Sequence, residues 1–296
     1  MGRAREAGWS FLMGTLARLP QGALSRVTGR LADVKLPTLL RAPVLGSFAR
    51  LTGIDRSEAA RPIREYASIN DFFVRELRDG VRVWPEDPRA IGSPVDGIIG
   101  QLGTIREGKL VQAKGRLYSA ERLLDEVEDA AAFDGGDFIT LYLSPRHYHR
   151  IHAPVSGSIP RARHVPGSLL PVNEPAVVRF DELFPRNERV VVRIESETGV
   201  LAVVAVGAYN VGRISVAFDP EWGGDDAAGT VTNRYGVRAA TRVYDPPHRI
   251  RRGEQIMAFH LGSTVVLLFE SGRVMLRGDL EIGREVRLGE AIATGV

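Results

Sequence analysis

The sequence predicts an α+β fold, with a mostly antiparallel β core and an N-terminal amphipathic helical region. Apolar residues recur at helical spacing through residues 1–52, and from about residue 91 short apolar runs are separated by Gly- and Pro-containing turns. The length of 296 residues fits two domains of ordinary size or one large β-rich domain. We expect a helical region over residues 1–80 and a β-rich domain over residues 81–296.

The first 52 residues combine apolar stripes with positive charge. They hold eight basic residues against two acidic residues, a net charge of +6 in a chain whose total is +3. Such helices can lie flat among lipid headgroups; the alternative is a helical subdomain that packs its stripes on the body. No apolar run reaches the roughly 20 residues that a membrane span needs, and no signal peptide is evident. The stripes are Trp9, Leu12, Met13, Leu16 and Leu19; Leu24, Val27, Leu31 and Val34; and Leu40, Val44, Phe48 and Leu51.

Residues 53–80 are predicted to be helical, with a start signal at Ser68 and Asn70. Strands are predicted where β-branched and aromatic residues cluster between turns. The acidic segment 219–229 is predicted to be a loop. The predicted strands are residues 138–143, 190–194, 200–206, 213–216, 264–269 and 273–276.

Composition narrows the chemistry. The chain has no cysteine, which excludes disulfides, thiolate metal ligands and cysteine nucleophiles. It has only three lysines, Lys35, Lys109 and Lys114, so an imine between a protein lysine and a substrate carbonyl is a poor fit. An electrophile on the protein and an amine on the substrate fit better.

A Gly-Ser bond precedes the apolar run at residues 265–269. Gly262 leaves its carbonyl open to attack and adopts backbone angles that other residues resist. The Ser263 hydroxyl could attack that carbonyl to give an ester, and loss of the Ser263 α-proton would lead through dehydroalanine to a pyruvoyl end. The alternative is a plain turn before a strand.

Three of the six histidines, His147, His149 and His152, lie within six residues. Histidine moves protons near neutral pH, which favours an acid–base site. His147 and His149 are predicted to share a strand face, and a His-x-His pair could equally supply two zinc ligands. Asp96, in Ser93-Pro94-Val95-Asp96-Gly97, is either a turn residue or the partner that orients a histidine for Ser263.

Together these pieces resemble the bacterial, membrane-associated phosphatidylserine decarboxylases. The matching motifs stand in the family's order over about residues 55–280. They are Asn70-Asp71-Phe72-Phe73-Val74-Arg75, Ser93-Pro94-Val95-Asp96-Gly97, Gln112-Ala113-Lys114-Gly115 with Tyr118-Ser119, Tyr148-His149-Arg150-Ile151-His152-Ala153-Pro154, Phe184-Pro185-Arg186-Asn187-Glu188-Arg189 and Leu261-Gly262-Ser263-Thr264.

The resemblance implies roles for four catalytic residues and no metal. Asp96 and His152 would activate Ser263 for self-cleavage between Gly262 and Ser263, and His149 would assist decarboxylation. Ser263 would become the covalent pyruvoyl cofactor. His147 is not carried over, because its position is often Asp in relatives.

The resemblance also implies a reaction and its partners. The amine of phosphatidylserine would form an imine with the pyruvoyl group, carbon dioxide would leave, and phosphatidylethanolamine would result, a step of phospholipid biosynthesis. The β chain (residues 1–262) and the α chain (residues 263–296) would stay together as a heterodimer, with further dimerisation left open. The enzyme would sit peripherally on the cytoplasmic face of the cell membrane and bind no nucleic acid.

Two other functions compete with this interpretation. A zinc hydrolase built on His147 and His149 would need a third ligand. A basic module for nucleic acid or anionic lipid is suggested by the pI near 9.4, but the β region lacks a basic stripe rich in aromatics.

Overall fold

An eight-stranded antiparallel sheet forms the centre of the computed structural model, which describes residues 21–209, 212–223, 229–234, 236 and 238–296. Every pairing between neighbouring strands in this sheet is antiparallel. In spatial order the strands are β11 (Ala240–Ile250), β7 (Gly157–Val165), β8 (Arg189–Ser196), β9 (Gly199–Val206), β13 (Ser263–Phe269), β5 (Asp137–Leu143), β2 (Gly97–Thr104) and β15 (Glu285–Val286).

Three smaller sheets and five short helices accompany the central sheet. One sheet has the order β10 (Arg213–Val216), β12 (Gln255–His260), β6 (Arg150–His152); another has the order β1 (Ala90–Gly92), β16 (Ala291–Gly295), β14 (Val274–Leu276); the third pairs β3 (Lys109–Ala113) with β4 (Arg116–Ser119). The helices are α3 (Ile69–Phe73), α4 (Ala120–Leu124), α5 (Val127–Ala131), α6 (Glu174–Arg179) and α7 (Leu183–Arg186). The predicted α+β class with a mostly antiparallel core is confirmed.

Strand β13 is buried along its whole length, because both faces of the central sheet are covered. Its alternate residues point to opposite faces: Val265, Leu267 and Phe269 join one apolar core, whereas Val266 and Leu268 join the other. A strand buried on both faces reads as a continuous apolar run. All six predicted strands are observed, with ends that differ by two residues or fewer.

The prediction of a helical segment over residues 53–80 was wrong. Ser68 does cap a helix, since its hydroxyl accepts from the Asp71 N–H at 3.1 Å, but that helix ends at Phe73. The remainder is irregular apart from the 3₁₀ turns Arg56–Glu58 and Ile63–Glu65. Gly53 ends the preceding helix in the left-handed region, and Pro62 has no N–H with which to continue a helix. In the predicted loop 219–229, the described residues include the 3₁₀ turn Pro220–Trp222.

Two longer helices, α1 (Gln21–Asp33) and α2 (Thr38–Thr52), precede this segment. Helix α1 turns its small and polar face inward, with Ser25, Gly29 and Ala32 buried. Its predicted apolar stripe faces outward instead of packing on the body. Large apolar residues exposed to solvent on the two helices are Leu24 (39%), Val27 (52%), Leu31 (66%), Leu39 (91%), Leu40 (50%) and Leu51 (87%), and Val34, directly after α1, is 55% exposed.

Helix α2 packs on the body through Leu45 and Ala49, which join an N-terminal core with Tyr66, Phe72 and Phe73. The stripe that begins at Trp9 lies outside the described residues. Among the helices that are described, none is long and apolar enough to cross a bilayer.

Candidate active site

The Gly262–Ser263 bond lies where two adjacent left-handed residues enter strand β13. Leu261 has a φ of 89° and Gly262 a φ of 64°. Glycine accepts this region readily, but a leucine there is strained by about 1–3 kcal/mol. Ser263 is the first residue of β13 and is held opposite Leu143 of β5. The intact chain therefore makes a sharp, strained turn directly before the serine.

Buried polar atoms without partners occur in the first two residues of β13 and in the histidine segment. Within the described part of the chain, the Ser263 Oγ, the Thr264 Oγ1 and the His149 Nε2 are buried and make no hydrogen bond. A buried polar group without a partner costs about 1–3 kcal/mol. Such a cluster indicates a site whose polar groups are kept free for chemistry.

His149 is fully buried and its ring stacks on the Phe73 ring, with centroids 4.0 Å apart. Its Nδ1 donates to the His147 carbonyl at 2.8 Å, which leaves the proton-free Nε2 as the unpartnered atom. Burial, with the Arg75 charge as the next contribution, lowers the pKa of His149 to about 3. At neutral pH this imidazole is neutral and has a lone pair available to take a proton.

The N-terminal core brings His149 and the strained turn together. Phe73 belongs to this core, and Leu261, from a distant part of the sequence, packs against the same core. In addition, the Phe259 N–H donates to the His149 carbonyl at 2.9 Å. The histidine segment and the segment before Ser263 are thus fixed side by side, although they lie more than a hundred residues apart in sequence.

His152 ends strand β6 and has both ring nitrogens occupied. Its Nδ1 donates to the Gly253 carbonyl at 2.7 Å, and its Nε2 lies 3.1 Å from the Tyr148 hydroxyl. Burial lowers the pKa of His152, so it is also neutral near pH 7. Gly253, and not Asp96, is therefore the group that directly orients this ring.

Asp96 is buried and held by a bidentate pair with Arg82. The Arg82 Nε and Nη2 donate to its two oxygens at 2.9 and 2.6 Å, and the Leu288 N–H donates at 2.8 Å. Burial raises the pKa of Asp96, but the Arg82 hydrogen bonds and charge outweigh it and leave the pKa below its usual value. Asp96 therefore acts on the nearby histidines as a fixed negative charge that favours their protonated forms.

His147 does not share a strand face with His149, and that prediction was wrong. It lies in the turn between β5 and β6, where its Nδ1 accepts from the Ser144 N–H at 3.0 Å and its Nε2 lies 3.3 Å from Glu285. Burial lowers the pKa of His147 despite the Glu285 carboxylate. Over the described residues, no group of three or more His, Cys, Asp or Glu side chains is placed to hold a metal ion.

Several site residues were given no role by the sequence analysis, although Phe73, Arg75 and Tyr148 lie in the motifs that carry the resemblance. Arg82 holds Asp96 and also pairs with Glu58, Tyr148 contacts His152, and Phe73 stacks on His149. Arg75 is 1% exposed, and its Nε and Nη1 have no partner among the described residues. Besides its place in that motif, the signal for Arg75 was its position directly after the apolar Phe72-Phe73-Val74, where an arginine must either point to solvent or be buried with them.

Comparison with known proteins identifies the family of this chain. A model of the family described as phosphatidylserine decarboxylase matches residues 69–294. The chain is 42% identical over 277 residues to a phosphatidylserine decarboxylase proenzyme of Anaeromyxobacter sp. (strain K), covering 94% of this chain and 95% of the relative.

Two further relatives carry the same name. The proenzyme of Acidovorax ebreus (strain TPSY) is 43% identical over 277 residues, covering 93% of this chain and 94% of the relative. That of Brevibacillus brevis (strain 47) is 37% identical over 289 residues, covering 97% and 99%. With nearly full-length similarity and a family match that includes both the histidine segment and the Gly262–Ser263 turn, this chain belongs to the phosphatidylserine decarboxylase family.

Proposed function

We propose that this chain decarboxylates phosphatidylserine to phosphatidylethanolamine, with a pyruvoyl group that it makes from its own Ser263. The observation that carries the proposal is the unpartnered Ser263 hydroxyl, buried directly after two left-handed residues. This feature stands in a chain that belongs to a family whose curated relatives are named proenzymes.

The first step is self-cleavage. The Ser263 Oγ attacks the Gly262 carbonyl carbon, the peptide C–N bond breaks, and an ester replaces the amide while the Ser263 nitrogen gains the hydroxyl proton. Removal of the Ser263 α-proton then expels the Gly262 carboxylate and leaves dehydroalanine. Water replaces the nitrogen of that residue, ammonia leaves, and the new chain begins with a pyruvoyl group. The strained turn supports the first attack, because breaking the bond releases strain.

Asp96 and His152 are assigned to the activation of Ser263. The pKa of His152 is lowered by burial, so the ring can accept a proton near neutral pH. Asp96 then stabilises the imidazolium through its charge, without a direct hydrogen bond to the ring. The Tyr148 hydroxyl, at 3.1 Å from His152, can pass a proton to or from the same nitrogen.

The residues around Ser263 fit a covalent carbonyl cofactor better than a lysine-based one. When formed, the pyruvoyl group supplies a carbonyl that captures the substrate amine and accepts the electrons released with carbon dioxide. Lys35, Lys109 and Lys114 are all exposed, so none competes for this role. His149 Nε2 is proton-free at rest, so it would first take a proton from the substrate and then return it at the reacting carbon. The apolar Phe73 side of the site disfavours a charged carboxylate, which promotes its loss.

The two chains produced by cleavage are proposed to remain one heterodimer. The α chain would keep strand β13 between β5 and β9, with every one of its residues buried. A strand in the middle of a sheet has no stable existence apart from its neighbours.

Attachment to a membrane surface is proposed for α1 and α2. Their exposed leucines and valines form the outward face that the sequence stripe predicted for helix α1. Apolar side chains on basic helices bind headgroup regions through burial of apolar surface and attraction to anionic lipid. We propose a peripheral position on the cytoplasmic face of the cell membrane.

The test is the mass of the denatured protein together with decarboxylation of phosphatidylserine. Purified wild-type protein is expected to yield a 262-residue chain and a 34-residue chain, the latter lighter by one ammonia molecule than the peptide that starts with serine. Ser263→Ala is expected to remain one 296-residue chain without activity. Ser196→Ala, in the β8–β9 turn, is the control and should be cleaved normally. Active wild-type protein that stays an unbroken chain would refute the proposal.

A further inference from the structure

A chain of hydrogen bonds connects helix α1 to the residue that precedes the strained turn. The Asn70 Nδ2 donates to Asp33 of α1 at 2.8 Å, and the Asn70 Oδ1 lies 3.1 Å from the His260 Nδ1. On the other side of the ring, the His260 Nε2 lies 3.0 Å from the Ser215 Oγ. Arg213, directly opposite His260 in the pairing of β10 with β12, forms an ion pair with Asp33.

The order of donors in this network fixes the Asn70 amide and one ring proton of His260. A carboxylate only accepts, so Asp33 requires the NH₂ side of the Asn70 amide to face it. The amide oxygen must then face His260, which places a ring proton on Nδ1; in the neutral ring, Nε2 accepts from the Ser215 hydroxyl. Asp33 thus determines the tautomer and the orientation of His260 from the far end of the network.

His260 is the last residue of β12, and Leu261 and Gly262 follow it with positive φ angles. A strained leucine persists only where the structure fixes the chain on both sides. Ser263 is fixed by β13, and Leu261 is packed on the N-terminal core. The remaining anchor is His260, which is 6% exposed and bonded through both ring nitrogens.

We propose that Asn70 and His260 are positioning residues for self-cleavage, which hold the Leu261–Gly262 turn in the conformation that brings the Gly262 carbonyl to the Ser263 hydroxyl. Asp33 makes this arrangement depend on the docking of helix α1. The inference rests on the proposed cleavage at Gly262–Ser263. It assigns to Asn70 and His260 no contact with the substrate and no proton transfer.

The first experiment follows cleavage of the full chain during cell-free synthesis, with samples denatured at intervals and the 296- and 262-residue chains quantified. Asn70→Ala and His260→Phe are each expected to slow cleavage by about tenfold or more, since misplacing the attacking group by about 1 Å can cost a hundredfold. Gln112→Ala is the matched control: this buried amide also makes three hydrogen bonds, but to residues 177, 180 and 183. It should cleave at the wild-type rate even where it lowers thermal stability.

A second experiment exchanges donor and acceptor between the ends of the network. Asn70→Asp places two carboxylates face to face and is expected to slow cleavage as Asn70→Ala does. The double variant Asp33→Asn/Asn70→Asp restores a donor on α1 and an acceptor beside His260. This double variant is expected to recover the cleavage rate only in part. The recovery is incomplete because Arg213 loses its carboxylate partner on α1. A merely structural role would not give this recovery, since the double change also removes the Asp33–Arg213 ion pair.

Hydroxylamine distinguishes the step that is affected. Hydroxylamine cleaves the ester but not the amide. It therefore restores chain scission, without a pyruvoyl group, in variants in which only α-proton removal is slow. It should not rescue Asn70→Ala, in which ester formation itself is slow. If the wild type is cleaved and both Asn70→Ala and His260→Phe are cleaved equally fast, this inference alone is overturned. Absence of cleavage in the wild type would instead overturn the proposed function.

Discussion

The N-terminal helices and the β core depart from the usual arrangement of side chains in opposite directions. Helix α1 buries Ser25, Gly29 and Ala32 and exposes its leucine stripe to solvent. In the β core, strand β13 buries every side chain, yet the Ser263 and Thr264 hydroxyls lie in that interior without partners. Each region thus places some groups where an ordinary soluble fold would not.

The difference teaches what each region is built to contact. Exposed apolar side chains on a basic helix suit a surface that is partly apolar, such as lipid headgroups over acyl chains. Unpartnered polar atoms in a dry interior suit a reacting group that arrives there or forms there. Each deviation lowers stability, so each can be tested by removing it and measuring what is lost.

The largest expected effect is on the rate of decarboxylation, when the buried His149 is replaced. His149→Ala removes the unpartnered Nε2 and should lower the rate of decarboxylation by about 10²–10⁴-fold, the usual range for a group that transfers a proton. Cleavage should remain largely intact, because we assign that step to His152. The measurement is carbon dioxide release from phosphatidylserine in detergent, together with the fraction of cleaved chain on a denaturing gel.

His152→Ala is the matched control for His149→Ala, since both change an imidazole of the same segment whose pKa is lowered by burial. It should block cleavage and leave the 296-residue chain. If His149→Ala blocked cleavage as completely as His152→Ala, the division of labour between these residues would be wrong. The unpartnered Nε2 would then belong to maturation and not to turnover.

The exposed leucines of α1 and α2 predict a loss of membrane binding when they are replaced. Replacing Leu31, Leu39 and Leu51 by Ser removes three side chains worth roughly 1.5–3 kcal/mol each when fully buried. Partial insertion should still leave binding to anionic vesicles weaker by about a hundredfold, as measured by co-sedimentation. Decarboxylation of a short-chain substrate in detergent should not change.

The control for this variant is a triple change of exposed valines on the β body, Val83, Val127 and Val243 to Ser. These valines are 76%, 66% and 75% exposed, similar to the leucines, but belong to neither α1 nor α2. Vesicle binding should be unaffected by this change. Equal losses in the two triple variants would mean that the leucines have no special place in attachment.

Much of the fold could be predicted from the sequence because strands and stripes are local patterns. The run at residues 264–269 is apolar at every position except Thr264, which is what a strand buried on both faces requires. Helix α1 shows the limit of such a pattern. Periodicity identified the stripe from Leu24 to Val34, but the direction that the stripe faces depends on what the opposite face can bind, here Arg213 and Asn233 from distant strands and loops.

The roles of Ser263, His149, His152 and Asp96 stay predictions, and the structure adds the contacts of each side chain. No local pattern could show that Gly253 orients His152. The segment 53–80 was predicted to be helical from the start signal at Ser68, but the helix that begins there ends at Phe73. Most of the other residues are irregular. That same segment supplies the residues that complete the site, namely Asn70, Phe73 and Arg75.

The smallest expected effect concerns the stability cost of the buried histidine. His149 in the folded protein has a pKa of about 3, lowered by burial, against about 6.5 in the unfolded chain. Between these values the unfolded chain binds a proton that the folded chain does not. The free energy of unfolding therefore falls as the pH drops from about 7, and this one residue accounts for about 2 kcal/mol at about pH 5.

The measurement is chemical unfolding of the uncleaved Ser263→Ala chain at several pH values, compared with Ser263→Ala/His149→Gln. The glutamine does not titrate, so the double variant should lose less stability between about pH 7 and about pH 5, by about 2 kcal/mol. Above about pH 7 the difference between the two chains should not depend on pH, because His149 is neutral in both states. His147 and His152, whose pKa values are also lowered, leave a residual slope in both chains. Identical slopes in the two chains would mean that His149 is accessible to protons in the folded state, and the contrast between a dry β core and a solvent-facing helical region would then lose its central residue.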